Sequence, residues 1–448
     1  MPNYFTSDIS VLTKLFFNND NQIVIFDTDN QLVKDDNLVF ENQIDKAIAE
    51  SVVILLSKPN SSFPFKHCID FTNHSFTNSR TVVYQYFNNP NGTMRWVYPK
   101  TLKYPSFLTL YNASGMKSKL IRLAFANAFR FGLKSKLSSG NFQLVTNGEN
   151  AVETLVKEAN GDSYSIFTGT VGENRKAIIE VNQNRKTTDF IKVPLGDKSA
   201  KLVEQEKSQL EKFNQLNFQK SVIPIVTASK NPKVAIISNV QPNESFATLN
   251  ELTDVHLNVL GEWYDKTKSV KTIGELVEYQ QIQHHLSELE KDSQPVNDLK
   301  PETVKSLLKG LKKFQSTIDE SQKITVGLAH FDFTPWNMYV TKNRLHIYDW
   351  ELSKTDLPLL YDAFHFIFQS SILIKRSTFE EIQTQINELK NSNLVKNLNQ
   401  DANFDFDTHY RFYILSVASY YLKLYIKQSP LHMQAHWLVD TWLEAVES

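Results

Sequence analysis

The chain has 448 residues, 41% hydrophobic and 22% charged, with 48 Lys+Arg against 49 Asp+Glu for a net charge of -1. That is the profile of a globular protein of two or three domains, and the balanced charge gives no general reason to expect nucleic acid as a partner. A single cysteine, Cys68, excludes an intrachain disulfide and a Cys-rich metal centre and reads as a buried small hydrophobe.

The opening MPNYFTSDISVLTKLFF has no basic head followed by a long apolar run, so it does not read as a secretory signal. VVILL at 52–56 is too short to span a bilayer, and a cytoplasmic location is expected. TVVYQYF (81–87), TMRWVYP (93–99) and PSFLTLYNA (105–113) read as three strands followed by a helix over 116–137. That helix holds six basic residues and no acid: Lys117, Lys119, Arg122, Arg130, Lys134 and Lys136. Its apolar centre, Leu120, Leu123, Phe125 and Phe129, reads as a face packed on the N-terminal sheet; contact with an anionic membrane surface is the less favoured alternative.

A helix at 151–159 opens a second unit. SYSIFTGT (163–170), KAIIEV (176–181), DFIKVPL (189–195) and VAIIS (234–238) read as strands, with a helix over 199–217 between the last two. This strand–strand–strand–helix order echoes residues 81–137. An internal duplication and two occurrences of a common pattern both account for it. Beyond residue 240 the chain is helical in pattern, with helices expected from Pro301 to about Phe314, over 409–426 and over 432–446. The fold class expected is α+β, divided into 1–145, 146–240 and 241–448.

HFDFTPWNMYVTKNRLHIYDWE (330–351) concentrates the chemistry. MYV and LHIY read as a hairpin. Folded symmetrically about Asn343, it sets Asn337 opposite Asp349, where two oxygen ligands can share a hard cation such as Mg2+. Asp332 precedes Asn337 by five residues in a loop stiffened by Pro335, placed to accept a proton from a substrate hydroxyl. The bland alternative is a solvated hairpin whose acids do nothing.

His330-Phe-Asp332-Phe-Thr-Pro-Trp-Asn337 followed by Ile-Tyr-Asp349-Trp-Glu resembles the catalytic and metal segments of the aminoglycoside phosphotransferase/choline kinase family. LPLLYDAFHF resembles the helix that follows them, with Asp362 as its structural acid, and the resemblance covers roughly residues 150–448. It implies a protein-kinase-like, two-lobed phosphotransferase preceded by an additional N-terminal α+β domain. The implied reaction uses ATP and Mg2+ and a small-molecule hydroxyl acceptor. Asp332 acts as base, His330 braces the loop, and Asn337 and Asp349 hold the metal. Phe331 departs from the pattern, which usually has Gly there.

In the smaller lobe, Lys192 is a lone charge in an apolar strand. Glu206 falls on the apolar stripe of the next helix, with Leu202, Val203, Leu210 and Phe213. A carboxylate there calls for a partner, and Lys192 is a natural one; a Glu whose head escapes to solvent is the alternative. By resemblance Lys192 contacts the α/β-phosphates and Glu206 positions it. Gly169 and Gly172 cover the phosphates, and Asn239 and Val240 lie in the adenine-binding connection. A kinase-like module that binds nucleotide or a partner with little or no turnover is the second functional reading.

Overall fold

The structure is a computed structural model and describes residues 2–17, 23–26, 52–58, 66–76, 80–109 and 116–448. By contacts the chain divides into two compact units, residues 1–208 with 225–239, and residues 209–224 with 240–448. Segments 1–145 and 146–239 therefore share the first unit.

That unit is built on one sheet of eleven described strands. In chain order they are β1 (Ile23–Phe26), β2 (Val52–Leu55), β3 (His67–Asp70), β4 (Arg80–Asn88), β5 (Met94–Pro99), β6 (Gly140–Thr146), β7 (Ser163–Phe167), β8 (Lys176–Gln183), β9 (Lys186–Pro194), then β11 (Val226–Thr227) and β12 (Ala235–Ser238). The strand order is β1-β2-β3-β6-β4-β5-β7-β8-β9-β12-β11. The β1–β3 pairs are parallel and the rest antiparallel. Leu12, Leu15 and Phe16 of the helix Pro2–Phe17 and Val152, Leu155 and Val156 of the helix Ala151–Glu158 join sheet residues in one core. Cys68 lies fully buried in β3.

β5 and β7 pair over only two positions, Trp96 with Phe167 and Val97 with Ile166. Continuing the ladder would bring Pro99 opposite Tyr164, and proline has no N–H to give it. The strands part there and open a cleft of about 930 Å³ lined by Lys100, Tyr104, Tyr164 and Arg185 among others.

Where a third strand was expected at 105–113, the described residues 105–109 are not extended. Ser106–Thr109 is a 3-10 turn, and residues 110–115 lie outside the described ones. The reason is burial: the adjacent residues Phe107 and Leu108 both join the cluster of Trp96, Tyr98 and Phe129, whereas a strand would send them to opposite faces. Residues 106–109 thus do not repeat the third strand of the later meander. The helix expected over 116–137 stops at Arg130, is turned by Gly132 at φ +71°, and resumes briefly as Lys134–Leu137.

The second unit is mainly helical, with two small sheets. β10 (Ser221–Val222), β16 (Leu345–Ile347) and β15 (Met338–Val340) form one; β13 (Ser269–Thr272), β14 (Lys323–Ala329) and β17 (Lys354–Pro358) form the other. Pro301–Ser316, Phe406–Tyr425 and Met433–Glu447 are helices, and the second is capped by the Asp405 side chain accepting from the Thr408 N–H. Among the described residues no helix is long and apolar enough to cross a membrane.

Candidate active site

In the first unit Lys192 sits in β9, paired with Ile178 of β8 and Ala235 of β12, so it is central in its part of the sheet. It is 4% exposed, and Glu206 of the helix Asp197–Asn214 is 0% exposed. Val203 and Leu210, one turn to either side of Glu206, are buried as well. The Lys192 ammonium lies 2.7 Å from the Glu206 carboxylate. Two opposite charges withdrawn from water this far must hold each other.

The turn between β7 and β8 contains Gly169 and Gly172. Gly169 has φ +80°, and a Cβ there would stand 2.1 Å from the Lys176 carbonyl oxygen, so only glycine fits. Gly172 has open space around it. Arg175 fastens the turn: its Nε donates to the Thr168 carbonyl at 3.0 Å, and its Nη2 pairs with Asp8 Oδ1 at 3.4 Å. Asp8 also accepts from the Met94 N–H at 2.8 Å. Burial pushes the Asp8 carboxyl up, while the Met94 N–H and Arg175 pull it down. Nothing in the sequence pattern linked residues 8 and 175, which are far apart along the chain. Asn239 ends the first unit, its N–H donating to Thr188 O at 2.7 Å and its Nδ2 to Thr187 O at 2.9 Å.

In the second unit the loop before β15 is built around Asp362. This carboxylate, 1% exposed in the first turn of the helix Tyr361–Gln369, accepts from the His330 N–H at 2.7 Å and the Phe331 N–H at 2.9 Å. Burial raises its pKa to about 7 against the pull of those two bonds. His330 is fully buried, and desolvation holds its imidazole below the usual value, although Asp332 and Asp349 pull the other way. Its neutral ring donates from Nε2 to the Tyr348 carbonyl at 3.1 Å. It ties the loop to the end of the hairpin and does not meet solvent.

Asp332 and Asn337 come together. Asn337 Nδ2 donates to Asp332 Oδ2 at 2.8 Å and to the Asp332 carbonyl at 3.0 Å. With its amide nitrogen so committed, the amide oxygen is the atom Asn337 has to offer a cation. The other Asp332 oxygen lies 3.6 Å from Nε2 of His365, a buried residue stacked on Tyr361. His365 was missed in the sequence, where it read as one more residue of the helix after the metal segment. Its position one turn after Asp362 was the available signal.

The symmetric register expected for the hairpin is wrong by one residue. Met338 pairs with Ile347, Tyr339 with His346 and Val340 with Leu345, and Thr341 N donates to Arg344 O across a two-residue turn, Lys342-Asn343. Asn337 therefore lies opposite Tyr348, whose N–H donates to its carbonyl at 3.1 Å, and not opposite Asp349. The register is fixed by burial: it pairs apolar Val340 with Leu345 and Met338 with Ile347, all buried, and moves His346 off that face. His346 is thereby free to donate from Nδ1 to the Val240 carbonyl at 2.8 Å, which occupies an acceptor of the expected adenine connection. Asp349, next after Tyr348, leaves the strand with φ +67°.

Phe331 takes φ +73°, a conformation that suits the glycine expected there and costs another residue about 1–2 kcal/mol. It is buried, stacks on Tyr361 at 5.0 Å and 16°, and carries the Lys354 ammonium 4.3 Å above its ring. Those contacts offset the strain. Left-handed non-glycine residues thus stand at both ends of the polar segment, at Phe331 and Asp349, where the surroundings over-determine the backbone. The Asp349 carboxylate and the Asn337 amide oxygen are each hard oxygen donors of the type Mg2+ takes.

No protein-family model and no curated protein matches the chain. Solved structures similar to it include a thermostable mutant of aminoglycoside phosphotransferase APH(4)-Ia in apo form, with 13% identity and a TM-score of 0.41 over 66% of this chain and 97% of that one. ADP-bound aminoglycoside phosphotransferase APH(2'')-Ib gives 14% identity and a TM-score of 0.38 over 65% and 97%. The amicoumacin kinase hAmiN with AMP-PNP and Ca2+ gives 10% identity and a TM-score of 0.38 over 63% and 87%.

Proposed function

We propose that the protein is an ATP- and Mg2+-dependent phosphotransferase that moves the γ-phosphoryl group to a hydroxyl of a small molecule such as a sugar, an amino alcohol or an aminoglycoside-like compound. The observation that carries the reading is the presentation of Asp332. Its loop backbone is anchored by buried Asp362, and one carboxylate oxygen is gripped by the Asn337 amide. The buried Lys192–Glu206 pair supports it from separate residues.

In this reading Lys192 holds the α/β-phosphates and Glu206 keeps its ammonium in place. The glycines at 169 and 172 let backbone N–H groups approach the phosphates, and residues 239–240 receive the adenine. Asn337 and Asp349 hold Mg2+, which when bound neutralises phosphate charge. Asp332 orients the acceptor hydroxyl and takes its proton as the oxygen bonds to the γ-phosphorus and the bond to the β-phosphate oxygen breaks. ADP and the phosphorylated acceptor leave. Positioning and electrostatics supply most of the rate. A cytoplasmic location, where ATP is available, completes the reading.

Phe331 favours a second reading, a kinase-like module with weak or no turnover, because a bulky ring occupies a backbone position suited to glycine. The experiment that separates the two follows Mg·ATP binding by calorimetry and ATP consumption across a panel of sugars, amines and aminoglycosides. The enzyme reading expects turnover with at least one acceptor, abolished in Asp332→Asn with ATP binding retained. Intact protein that fails to bind Mg·ATP would sink the enzyme reading and leave of the second only a module that binds a partner.

A further inference from the structure

We propose that the helix Met116–Arg130 and the turn after it dock this protein on an anionic membrane surface. The sequence suggests that Leu120 and Leu123 face the N-terminal sheet. In the structure the helix buries a different side: Phe129 and Ala128 are 5% and 7% exposed, and Phe125 and Phe129 meet the aromatic cluster of Trp96, Tyr98 and Phe107. At 100° per residue Leu120 and Leu123 point away from that side. They are 63% and 60% exposed.

The residues that follow the helix are exposed and apolar as well. Phe131, Leu133 and Leu137 are 69%, 47% and 45% exposed. Five of the large exposed apolar side chains among the described residues thus fall within eighteen consecutive positions, where single scattered ones are the ordinary case.

Charge decides what covers them. Residues 116–137 contain six Lys or Arg and no Asp or Glu in a chain whose overall charge is -1. Arg122, Arg130 and Lys136 are exposed within the same stretch. Lys134 instead spends its ammonium on the Lys100 and Leu102 carbonyls, which anchors the turn to the residues after β5. Leucine and phenylalanine flanked by cations, with no acid, is the pattern of a helix that lies in the headgroup region of anionic lipid. A second copy of the same surface would bring like charges together, and a soluble protein partner would have to be both apolar and acidic on one face.

The test uses the full chain with vesicles of phosphatidylcholine alone and of phosphatidylcholine mixed with phosphatidylserine, read by co-sedimentation, and does not depend on catalytic activity. The expected result is binding to the mixed vesicles at least about tenfold tighter than to phosphatidylcholine. That binding weakens with salt and drops by about tenfold or more in Leu120→Glu/Leu123→Glu. These side chains are exposed, so the variant keeps the wild-type circular dichroism and thermal unfolding. Arg122→Ser/Arg130→Ser weakens binding to the mixed vesicles while leaving weak binding to phosphatidylcholine unchanged. Equal binding to both vesicle types, no binding to either, or a Leu120→Glu/Leu123→Glu variant that binds like wild type overturns the proposal. So does light scattering that shows these leucines holding a dimer which excludes vesicles.

Discussion

Removing one partner of the Lys192–Glu206 pair is the sharpest test of how the first unit is held together. The two groups are 4% and 0% exposed and 2.7 Å apart. At that distance and an effective dielectric of about 20 their attraction is about 6 kcal/mol, and breaking a buried pair from one side typically costs about 3–5 kcal/mol. Glu206→Leu takes this carboxylate away from the ammonium between β8 and β12, and Lys192→Met takes this ammonium away from the carboxylate on the helix Asp197–Asn214. Each is expected to destabilise by about 3–5 kcal/mol. The double variant removes both charges and refills the space with apolar groups, so it is expected to recover most of that loss. Because the chain has two compact units, global unfolding need not be two-state. Amide hydrogen exchange in β9 and β12 reads the effect where it occurs. Single variants that cost less than about 1 kcal/mol, or a double variant whose loss equals the sum of the singles, would refute the reasoning.

Asp362 carries a pH dependence. Its folded pKa of about 7 lies above the ordinary 3.8, so the folded state keeps a proton that the unfolded state has lost between those values. Stability from this group is therefore highest in acid and falls as pH rises from about 4 to 7, by about 4 kcal/mol in all. Denaturant titrations of wild type and Asp362→Asn should show a stability gap that changes with pH across that window, and a constant gap would contradict the assignment. Phe331→Gly relieves about 1–2 kcal/mol of backbone strain but forfeits a buried ring worth about 3–5 kcal/mol, so a net loss of about 1–4 kcal/mol is expected in urea unfolding; a more stable variant would mean that the Tyr361 stack contributes little. Gly169→Ala drives a Cβ onto the Lys176 carbonyl and forces a left-handed alanine, and a loss of at least about 2 kcal/mol with faster proteolysis of the β7–β8 turn is the expected outcome.

Much of the α+β organisation is legible in the sequence because hydrophobic period and turn chemistry are local. The strands at 163–167, 176–183 and 235–238 and the helix starting at Pro301 lie within about three residues of where alternation, proline and turn residues place them. Glu206 is legible for the same reason: a carboxylate three and four residues from apolar neighbours must share their face. Burial of Cys68 follows from its character.

Tertiary structure decided the rest. The register of the β15–β16 hairpin depends on which apolar pair is buried, and symmetry about the turn cannot say whether two or three residues form the loop. Phe107 and Leu108 form a turn because both found room in one aromatic cluster, against the alternation that reads them as strand. Leu120 and Leu123 are solvent-facing because Phe125 and Phe129, on the other side of the same helix, won the contact with that cluster. The groups that grip Asp332 and its loop, Asp362 and His365, lie some thirty residues further along the chain. A one-dimensional pattern records the period of a face, but it does not record which face the neighbours will cover or which distant side chain a loop will meet.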